Sequence, residues 1–210
     1  MKRDKVSIHV IRRLSRYLRR LDELSVEGES RISSGELGRQ LGLTASQIRQ
    51  DFSSFGEFGQ QGYGYNIDML RDELRTILGL KRKFSVIIVG AGNLGHALIQ
   101  NFDFGKLGLR LDSAFDVDKD LVGTELCGVK IYDASEMAEY IEKNKVDIAV
   151  LTVPQNAANE VVKILTDSGI RGIWNFTNVE LADPGKDVII EDIHFSDSLM
   201  TLSYYLAEDG

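Results

Sequence analysis

Apolar residues recur at helical spacing near the start of the chain. Between about Val6 and Leu24 they form one stripe, made of Val10, Leu14, Tyr17, Leu18, Leu21 and Leu24. Arginines occupy other parts of the same surface, at Arg12, Arg16, Arg19 and Arg20. This period predicts an amphipathic helix whose outer surface is basic.

Two shorter helices are predicted next. Ser33 offers an N-cap with Glu36 in the first turn, and Gly42 ends the helix that they begin. Thr44 caps a further helix, predicted over residues 45–55. Two short helices around a glycine turn are typical of the helix-turn-helix.

The segment GEFGQQGYGYN follows this pair and places four glycines among aromatic residues. Such a composition predicts a tight β-ribbon, or wing, over Gln60 to Tyr65. A helix is then predicted over 67–78, and the residues GLKRK at 79–83 predict a domain boundary. We therefore assign residues 1–80 to a winged helix-turn-helix domain.

Beyond residue 83 the pattern changes to short apolar runs separated by helical segments. Six strands are predicted, over 84–89, 109–115, 129–132, 147–152, 172–174 and 187–190. Strands that alternate with helices predict an α/β fold with a doubly wound, Rossmann-like parallel sheet. We assign this second domain to residues 84–191.

The remaining segment, residues 192–210, contains a helix predicted over 196–207. Its apolar residues form a wide stripe, made of Leu199, Met200, Leu202, Tyr204, Tyr205 and Leu206. An apolar surface this wide on a terminal helix predicts a partner that covers it.

Charge divides unevenly along the chain. Residues 1–83 hold 16 Lys and Arg against 11 Asp and Glu, a net charge of +5. Residues 84–210 hold 9 against 21, a net charge of −12. The asymmetry favours a polyanion as the partner of the first domain, with chance clustering as the alternative.

Other composition features exclude several classes. The single cysteine, Cys127, excludes an internal disulfide framework and a paired-cysteine metal or redox site. No apolar run approaches the roughly 20 residues that span a bilayer, and no apolar segment of a signal peptide follows the first charges. We therefore expect a cytoplasmic protein with no membrane segment and no metal.

A glycine motif directly follows the first predicted strand of the second domain. It consists of Gly90, Ala91, Gly92, Asn93, Leu94 and Gly95, and a helix is predicted to follow it over 96–102. In this context the pattern predicts a dinucleotide site, with the pyrophosphate at the helix N-terminus. An ordinary strand-to-helix turn is the alternative.

Asp116 ends the second predicted strand, 21 residues after Gly95. An acid at about this distance binds the ribose 2′-hydroxyl and repels a 2′-phosphate, which favours NAD+ and NADH over their phosphorylated forms. Lys119 is the one basic residue close by. Later strand ends carry further candidates for the nicotinamide pocket, namely Thr152, Val153, Pro154, Asn175 and Phe176.

An enzyme would need a proton-transfer residue beside the cofactor. The three histidines, His9, His96 and His194, lie at positions typical of surface or packing residues, and Tyr140 and Lys143 are one residue too close for a Tyr-x-x-x-Lys pair. The 127 residues after residue 83 leave no length for a substrate domain. We predict a sensor and not an enzyme.

Within the first domain, the helix over 45–55 is the predicted recognition helix. Arg49 is suited to a bidentate contact with guanine, and Gln50 to adenine. The full set of predicted DNA-contacting residues is Arg12, Arg13, Arg16, Ser34, Thr44, Ser46, Gln47, Arg49, Gln50, Ser53, Gln61, Gly62 and Tyr63.

Taken together, six segments resemble the redox-sensing repressor family Rex in order and spacing. They are RLSRYLRRLDEL, SSGELGRQLGLTASQIRQDFSSFGEFGQQGYGYN, VGAGNLGHAL, FDVD, LTVP and NFTN. The resemblance implies a homodimer with a C-terminal helix swapped onto the partner. It also implies a repressor that binds operator DNA, is released by NADH, and is bound competitively by NAD+.

The sequence departs from the family pattern in two places. Gln50, and Gln60 and Gln61 in the wing, stand where the family carries basic residues, so operator preference and salt sensitivity are expected to differ. The family's switch contacts also use an arginine, present as Arg19, with a tyrosine and an aspartate that are replaced here. The candidate switch set is therefore Arg19, Asn101, Asp192, His194 and Asp197.

Two other functions remain open on the sequence. One is a small NAD-dependent oxidoreductase with an accessory winged helix, which the missing base disfavours. The other is a coenzyme A or other nucleotide-binding module, which would have no use for Asp116.

Overall fold

A computed structural model describes residues 6–56, 58, 63–181, 185 and 187–208 of the 210-residue chain. The chain separates into two compact units, with the border between Arg82 and Lys83. The predicted wing residues Gln60, Gln61 and Gly62 lie outside the described residues, whereas Tyr63 lies within them.

The first unit contains four helices and a two-stranded ribbon among its described residues. Their bounds are α1 (Ile8–Val26), β1 (Arg31–Ile32), α2 (Ser34–Leu41), α3 (Ala45–Ser53), β2 (Tyr65–Asn66) and α4 (Ile67–Ile77). The predicted caps are present: the Ser33 hydroxyl accepts from the Glu36 N–H at 3.0 Å, and the Thr44 hydroxyl from the Gln47 N–H at 3.1 Å. The sequence therefore placed α2 and α3 within two residues of their observed ends.

The core of the first unit gathers apolar residues from all four helices. The stripe predicted on α1 packs inward, since Leu14, Tyr17 and Leu21 are completely buried. They meet buried residues of α2, α3 and α4, namely Leu37, Ile48, Phe52, Ile67, Leu70 and Leu74. Burial of this stripe fixes α1 against the helix-turn-helix.

The ribbon of the first unit is antiparallel, with Arg31 opposite Asn66 and Ile32 opposite Tyr65. Strand β1 was not predicted, because two residues are too few to show a period. The Tyr65 side chain packs edge-on against Phe52, with ring centroids 5.2 Å apart. This contact ties the base of the predicted wing to α3.

The second unit contains an α/β sheet, as predicted. Its strands are β3 (Phe84–Val89), β4 (Leu109–Asp116), β5 (Glu125–Leu126), β6 (Val129–Asp133), β7 (Ile148–Leu151), β8 (Gly172–Asn175) and β9 (Ile189–Asp192). Their spatial order is β5-β6-β4-β3-β7-β8-β9, and only the pairing of β5 with β6 is antiparallel. The six parallel strands have the order expected of a dinucleotide-binding sheet.

Helices cover both faces of this sheet. The helices of the second unit are α5 (Asn93–Asn101), α6 (Met137–Asn144), α7 (Gln155–Asp167) and α8 (Phe195–Glu208). Ile87 and Val89 pack with α6 and α7, while Val86 and Ile88 pack with α5 on the opposite face. Burial on both faces explains the uninterrupted apolar run of β3.

Helix α8 differs from the others in having no buried residue. Its large apolar side chains are 55 to 67% exposed, and they are Phe195, Leu199, Met200, Leu202, Tyr204, Tyr205 and Leu206. The described residues of this chain therefore do not cover the apolar stripe of α8, for which the sequence predicted a partner.

Candidate functional site

The order of the strands identifies one edge of the sheet as the place for a ligand. Strand β3 lies between β4 and β7, so the connection that leaves β3 runs to one side of it, to β4, and the connection that leaves β6 runs to the other side, to β7. A crevice forms at the carboxyl ends of the strands where the order reverses. Residues 90–95 follow β3 directly and residues 152–154 follow β7, so the glycine motif and the Thr-Val-Pro segment meet there.

Two of the three glycines are required by the protein's own packing. Gly90 has a φ of +96°, and a Cβ there would lie 2.8 Å from the carbonyl oxygen of Thr152. Gly95 lies within α5, where a Cβ would overlap the carbonyl oxygen of Gly90. The Thr152 hydroxyl donates to that same oxygen at 2.7 Å and holds the turn closed.

Gly92 is different, because nothing in the described protein explains it. Its φ is −63°, which other residues adopt readily, and a Cβ there would meet no atom within 4 Å. Helix α5 begins one residue later, with no side-chain cap and no acidic residue in its first turn. The first N–H groups of a helix lack partners and carry the positive end of its dipole. A glycine beside them fits the close approach of a pyrophosphate.

The structure corrects the predicted start of this helix. Helix α5 begins at Asn93 and not at His96, so the last glycine of the motif lies in its first turn. Gly95 permits this start, because any side chain there would overlap the carbonyl oxygen of Gly90 in the turn after β3. The helix end therefore lies closer to the ligand edge than the sequence indicated.

Asp116 ends β4, as predicted, and also bonds to the glycine turn. Its Oδ2 accepts from the Ala91 N–H at 2.6 Å, and its Oδ1 accepts from the Asp118 N–H at 2.9 Å. Each carboxylate oxygen can accept more than one hydrogen bond, so the group retains acceptor capacity. Asp116 thus shapes the turn, and its contact with a ribose stays a prediction.

Lys119, the basic residue close to Asp116 in the sequence, is paired with Asp133. Asp133 is the neighbour of Asp116 in the register of β4 and β6. The Lys119 ammonium is the main cause that holds the pKa of Asp133 well below its usual range, and hydrogen bonds from Ser135 add to it. Lys119 is therefore neutralised by Asp133, and the edge of the sheet at Asp116 remains acidic.

Asn175 has a structural role at the end of β8. Its side chain is buried, and its amide donates to the Val179 carbonyl at 3.0 Å and to Asp192 at 2.7 Å. Its Oδ1 accepts from the Thr177 N–H at 3.0 Å and from the Thr177 hydroxyl. With two donors and two acceptor positions engaged, this side chain organises the loop and offers no group to a cofactor.

Phe176 is the next residue and carries the apolar part of this edge. It is 8% exposed and lies 4.6 Å from the Trp174 ring and 6.0 Å from the Phe195 ring, measured between centroids. Val153 is half-buried and Pro154 is exposed. Their predicted contact with a nicotinamide ring rests on this placement at the carboxyl edge.

In the first unit, α3 presents several of the predicted DNA-contacting side chains. Ser46, Arg49 and Gln50 are exposed. The Arg49 guanidinium donates to the Ser34 hydroxyl at 3.0 Å, so the structure brings these two predicted residues together. Thr44 is exposed as the cap of α3, and the Ser53 hydroxyl donates to the Gln50 carbonyl at 2.8 Å.

Arg13 was predicted to contact DNA phosphates, and the structure gives two of its guanidinium nitrogens a partner inside the protein. Its Nε and Nη2 donate to the two carboxylate oxygens of Asp51, at 2.6 and 2.7 Å. Asp51 is only 1% exposed, and it also accepts from the Tyr17 hydroxyl at 2.6 Å and from the Gln47 amide at 2.9 Å. Arg13 therefore serves as the counter-charge of a buried carboxylate.

Opposing effects act on the pKa of Asp51. Burial alone would raise it, but hydrogen bonds from Arg13, Tyr17 and Gln47 outweigh burial and hold the pKa below its ordinary value. Burial, with help from Asp51, raises the pKa of the Tyr17 phenol far above its usual range. Asp51 is thus charged in the folded protein at neutral pH, and Tyr17 remains a donor.

The other arginines of α1 face outward. Arg12, Arg16 and Arg19 are exposed, and Arg16 donates to the Leu41 carbonyl at 3.0 Å, at the end of α2. Their predicted phosphate and switch contacts fit this exposure.

Sequence reasoning missed Arg31, which lies at the base of the predicted wing. It is exposed, donates to the Tyr63 carbonyl at 3.1 Å, and has its guanidinium carbon 6.0 Å from the centre of the Tyr63 ring. Tyr63 itself is 71% exposed. The alternation of polar and apolar residues around Ile32 was the available signal for this strand.

The other switch candidates, Asn101, Asp192, His194 and Asp197, all lie in the second unit and contact residues of that unit. The Asn101 amide donates to the Ala97 carbonyl of its own helix at 3.0 Å. Asp192 ends β9 and is held by Asn175, and the Asp197 N–H donates to the His194 carbonyl at 3.2 Å as α8 begins. Each of these residues makes a local hydrogen bond, and a switch contact would be formed in addition to it.

Neither a metal centre nor a membrane-spanning helix is found among the described residues. No group of three or more His, Cys, Asp or Glu is arranged there to hold a metal ion. None of the helices in that part of the chain combines the length and apolar character needed to cross a membrane.

Two family models match the chain. The model described as "Putative DNA-binding protein N-terminus" matches residues 5–53, and the model described as "CoA binding domain" matches residues 81–179. The first match covers α1 to α3, and the second covers most of the sheet.

Curated relatives match nearly the whole chain. The protein named "Redox-sensing transcriptional repressor Rex" from Caldicellulosiruptor saccharolyticus is 50% identical over 207 residues, which cover 99% of this chain and 94% of the relative. The protein of the same name from Clostridium botulinum is 46% identical over 202 residues, with 96% of each chain covered.

Solved structures agree with this likeness. A crystal structure of RSP with beta-NAD+ and operator DNA matches with a TM-score of 0.91 at 46% identity, covering 97% of this chain and 94% of RSP. A structure of RSP with beta-NADH matches with a TM-score of 0.91 at 43% identity, covering 98% and 96%.

Proposed function

Since the chain belongs to the Rex family of redox-sensing transcriptional repressors, we propose how its two units divide that function. The first unit binds operator DNA, with α3 as the recognition helix. The second unit binds NADH and NAD+ at the carboxyl edge of its sheet. Binding of NADH lowers the affinity for DNA, so repression responds to the ratio of the two cofactors. We expect the protein to act in the cytoplasm, where the operator DNA is located.

The observation that carries the nucleotide part is the contrast among the three glycines. Gly90 and Gly95 are explained by contacts inside the protein, whereas Gly92 is explained only by a ligand that approaches the uncapped end of α5. When bound, the cofactor supplies the redox state that is sensed. Val153, Pro154 and Phe176 form an apolar boundary that favours an uncharged reduced ring over a cationic oxidised one.

Gly92→Ser provides a sharp test of this site. Serine is a good N-cap, so the variant is expected to keep or raise the melting temperature of the second unit. Its side chain also occupies the path of the pyrophosphate, so NADH affinity is expected to fall about tenfold or more. Calorimetric titration and thermal denaturation measure the two effects.

The matched control is Gly90→Ala, where both the φ of +96° and the Thr152 carbonyl oppose a side chain. This variant is expected to lower the melting temperature, in contrast to the serine variant. Unchanged NADH affinity in Gly92→Ser would place the pyrophosphate elsewhere.

DNA recognition is proposed to need two copies of the chain. Helix-turn-helix dimers bind half-sites about one helical turn apart, roughly 34 to 36 Å. The exposed apolar stripe of α8 is the surface that we propose for dimerisation, with each helix covering the partner copy. NADH then shifts the dimer to a form in which the two recognition helices lose that spacing.

Coupling between the cofactor and DNA can be tested in both directions. If NADH weakens operator binding by a given factor, operator DNA weakens NADH binding by the same factor. Titration of NADH into the protein, with and without a palindromic operator, is expected to give two different affinities, and a gel shift with NAD+ should retain the complex. Equal NADH affinities in both titrations would contradict the proposal.

The same titrations distinguish the alternative functions. The family comprises transcriptional repressors, so membership argues against an oxidoreductase. Turnover of NADH with a carbonyl substrate would support an oxidoreductase instead. The match of residues 81–179 to a coenzyme A-binding model makes that nucleotide the appropriate competitor. We expect coenzyme A not to displace NADH.

A further inference from the structure

Asp51 is a buried charged residue on the proposed recognition helix. Its carboxylate is 1% exposed and accepts four hydrogen bonds from side chains. Two come from Arg13 and one from Tyr17, both on α1, and the fourth comes from Gln47 on α3 itself. A buried carboxylate is costly unless it is fully paired, so this set stabilises one arrangement of α1 and α3.

Each carboxylate oxygen of Asp51 accepts two of the four hydrogen bonds. Oδ2 accepts from Arg13 Nε and the Tyr17 hydroxyl. Oδ1 accepts from Arg13 Nη2 and from Gln47 Nε2 at 2.9 Å. Tyr17 and Gln47 thus bond to different oxygens of the carboxylate.

The carboxylate determines which end of the Gln47 amide faces it. An ionised carboxylate accepts hydrogen bonds and cannot donate them, so only the NH2 end of the amide is stable beside it. The Gln47 carbonyl oxygen is therefore turned away from Asp51. Within the described part of the chain, no group donates a hydrogen bond to that oxygen.

Gln47 lies where a recognition helix meets base edges. It is the third residue of α3, half-buried, in the same turn as the exposed Ser46 and next to the turn that carries Arg49 and Gln50. A free glutamine amide can present either its oxygen or its nitrogen to a base. The bond to Asp51 removes that choice.

We propose that Asp51 is a positioning residue for operator recognition, which acts by holding Gln47 with its carbonyl oxygen toward the DNA. An acceptor in that place favours a base with an exocyclic amino group in the major groove, the N6 of adenine or the N4 of cytosine. The proposal rests on operator binding by the first unit.

The test uses the full-length protein and an operator set that carries each single-base change in the half-site. The wild type is expected to show one position where adenine or cytosine is preferred about tenfold over guanine or thymine. Gln47→Met should remove that preference alone. Asp51→Asn should remove or reverse it, because an asparagine amide can donate to Gln47 and let its NH2 end turn outward.

Tyr17→Phe is the matched control. It removes a bond to Oδ2 and leaves the Gln47 bond at Oδ1 in place. We expect a lower melting temperature with an unchanged base preference, a combination that separates positioning from general stability.

Each outcome has a defined meaning. A wild-type preference profile in Asp51→Asn, or in Gln47→Met, would overturn the inference while leaving operator binding intact. If Asp51→Asn does not fold, Gln47→Met and Tyr17→Phe still decide, because both keep the pair of Arg13 and Asp51. Failure of the wild type to bind any operator would contradict the proposed function instead.

Discussion

Arg13→Ala is expected to lower the free energy of unfolding of the first unit by roughly 3 kcal/mol, the low end of the range for breaking a buried ion pair. The large effect follows from Asp51, which would stay buried with its charge uncompensated. Tyr17 and Gln47 would still donate to it, and the Arg13 side chain is 23% exposed, so the upper end of the range is not expected. Chemical denaturation at pH 7 measures the loss.

The same ion pair predicts a dependence on pH. The folded-state pKa of Asp51 is lowered, so its contribution to stability is complete above the unfolded pKa of about 4 and is lost as the pH falls toward the folded pKa. The wild type should therefore lose stability below about pH 4. In Arg13→Ala that part of the acid dependence should be smaller.

A surface arginine provides the comparison. Arg39 pairs with Glu36, and its side chain is 76% exposed, so Arg39→Ala should change stability by no more than about 1 kcal/mol. Equal losses in the two variants would mean that the pair of Arg13 and Asp51 is worth no more than a surface contact.

The second large effect is expected from the apolar stripe of α8. Replacing both Leu199 and Leu206 by aspartate puts two charges into the surface that we propose for the dimer, where each would be buried without a partner. The double variant should be a monomer by ultracentrifugation, and its operator affinity should fall about 100-fold or more, because one half-site alone remains available. Since the glycine turn is untouched, NADH should still bind.

Thr201→Asp is the matched control, since Thr201 lies about half a turn from Leu199 and Leu206 on the same exposed helix. It adds one like charge on the side of the helix opposite these two leucines, and it should remain a dimer with full operator affinity. A dimer in the double leucine variant would show that another surface joins the two copies.

The elements that the sequence predicted well are those whose burial repeats along the chain. The apolar stripe of α1 and the continuous run of β3 both follow from contact with a core. The strands β1 and β5 escaped prediction because each has two residues, and their pairing is set by what lies opposite. A short ribbon is specified by its partner and not by its own pattern.

The site residues show the same division. Spacing alone singled out the glycine motif and Asp116, which the structure places after β3 and at the end of β4, and their contacts with a pyrophosphate and a ribose stay predictions. It did not distinguish Arg13 from Arg12 or Arg16, since all three belong to one basic helix. Only the packing of α1 against α3 places Asp51 opposite Arg13 and gives its guanidinium an internal partner.

Under the proposed function, cofactor preference and backbone geometry both depend on the Asp116 carboxylate at the end of β4. A change of Asp116 to a neutral residue would make room for a 2′-phosphate, but it would also release the amide of Ala91 that this group holds at 2.6 Å. Any lineage that moved toward the phosphorylated cofactor would therefore first have to find a new anchor for its phosphate-binding turn.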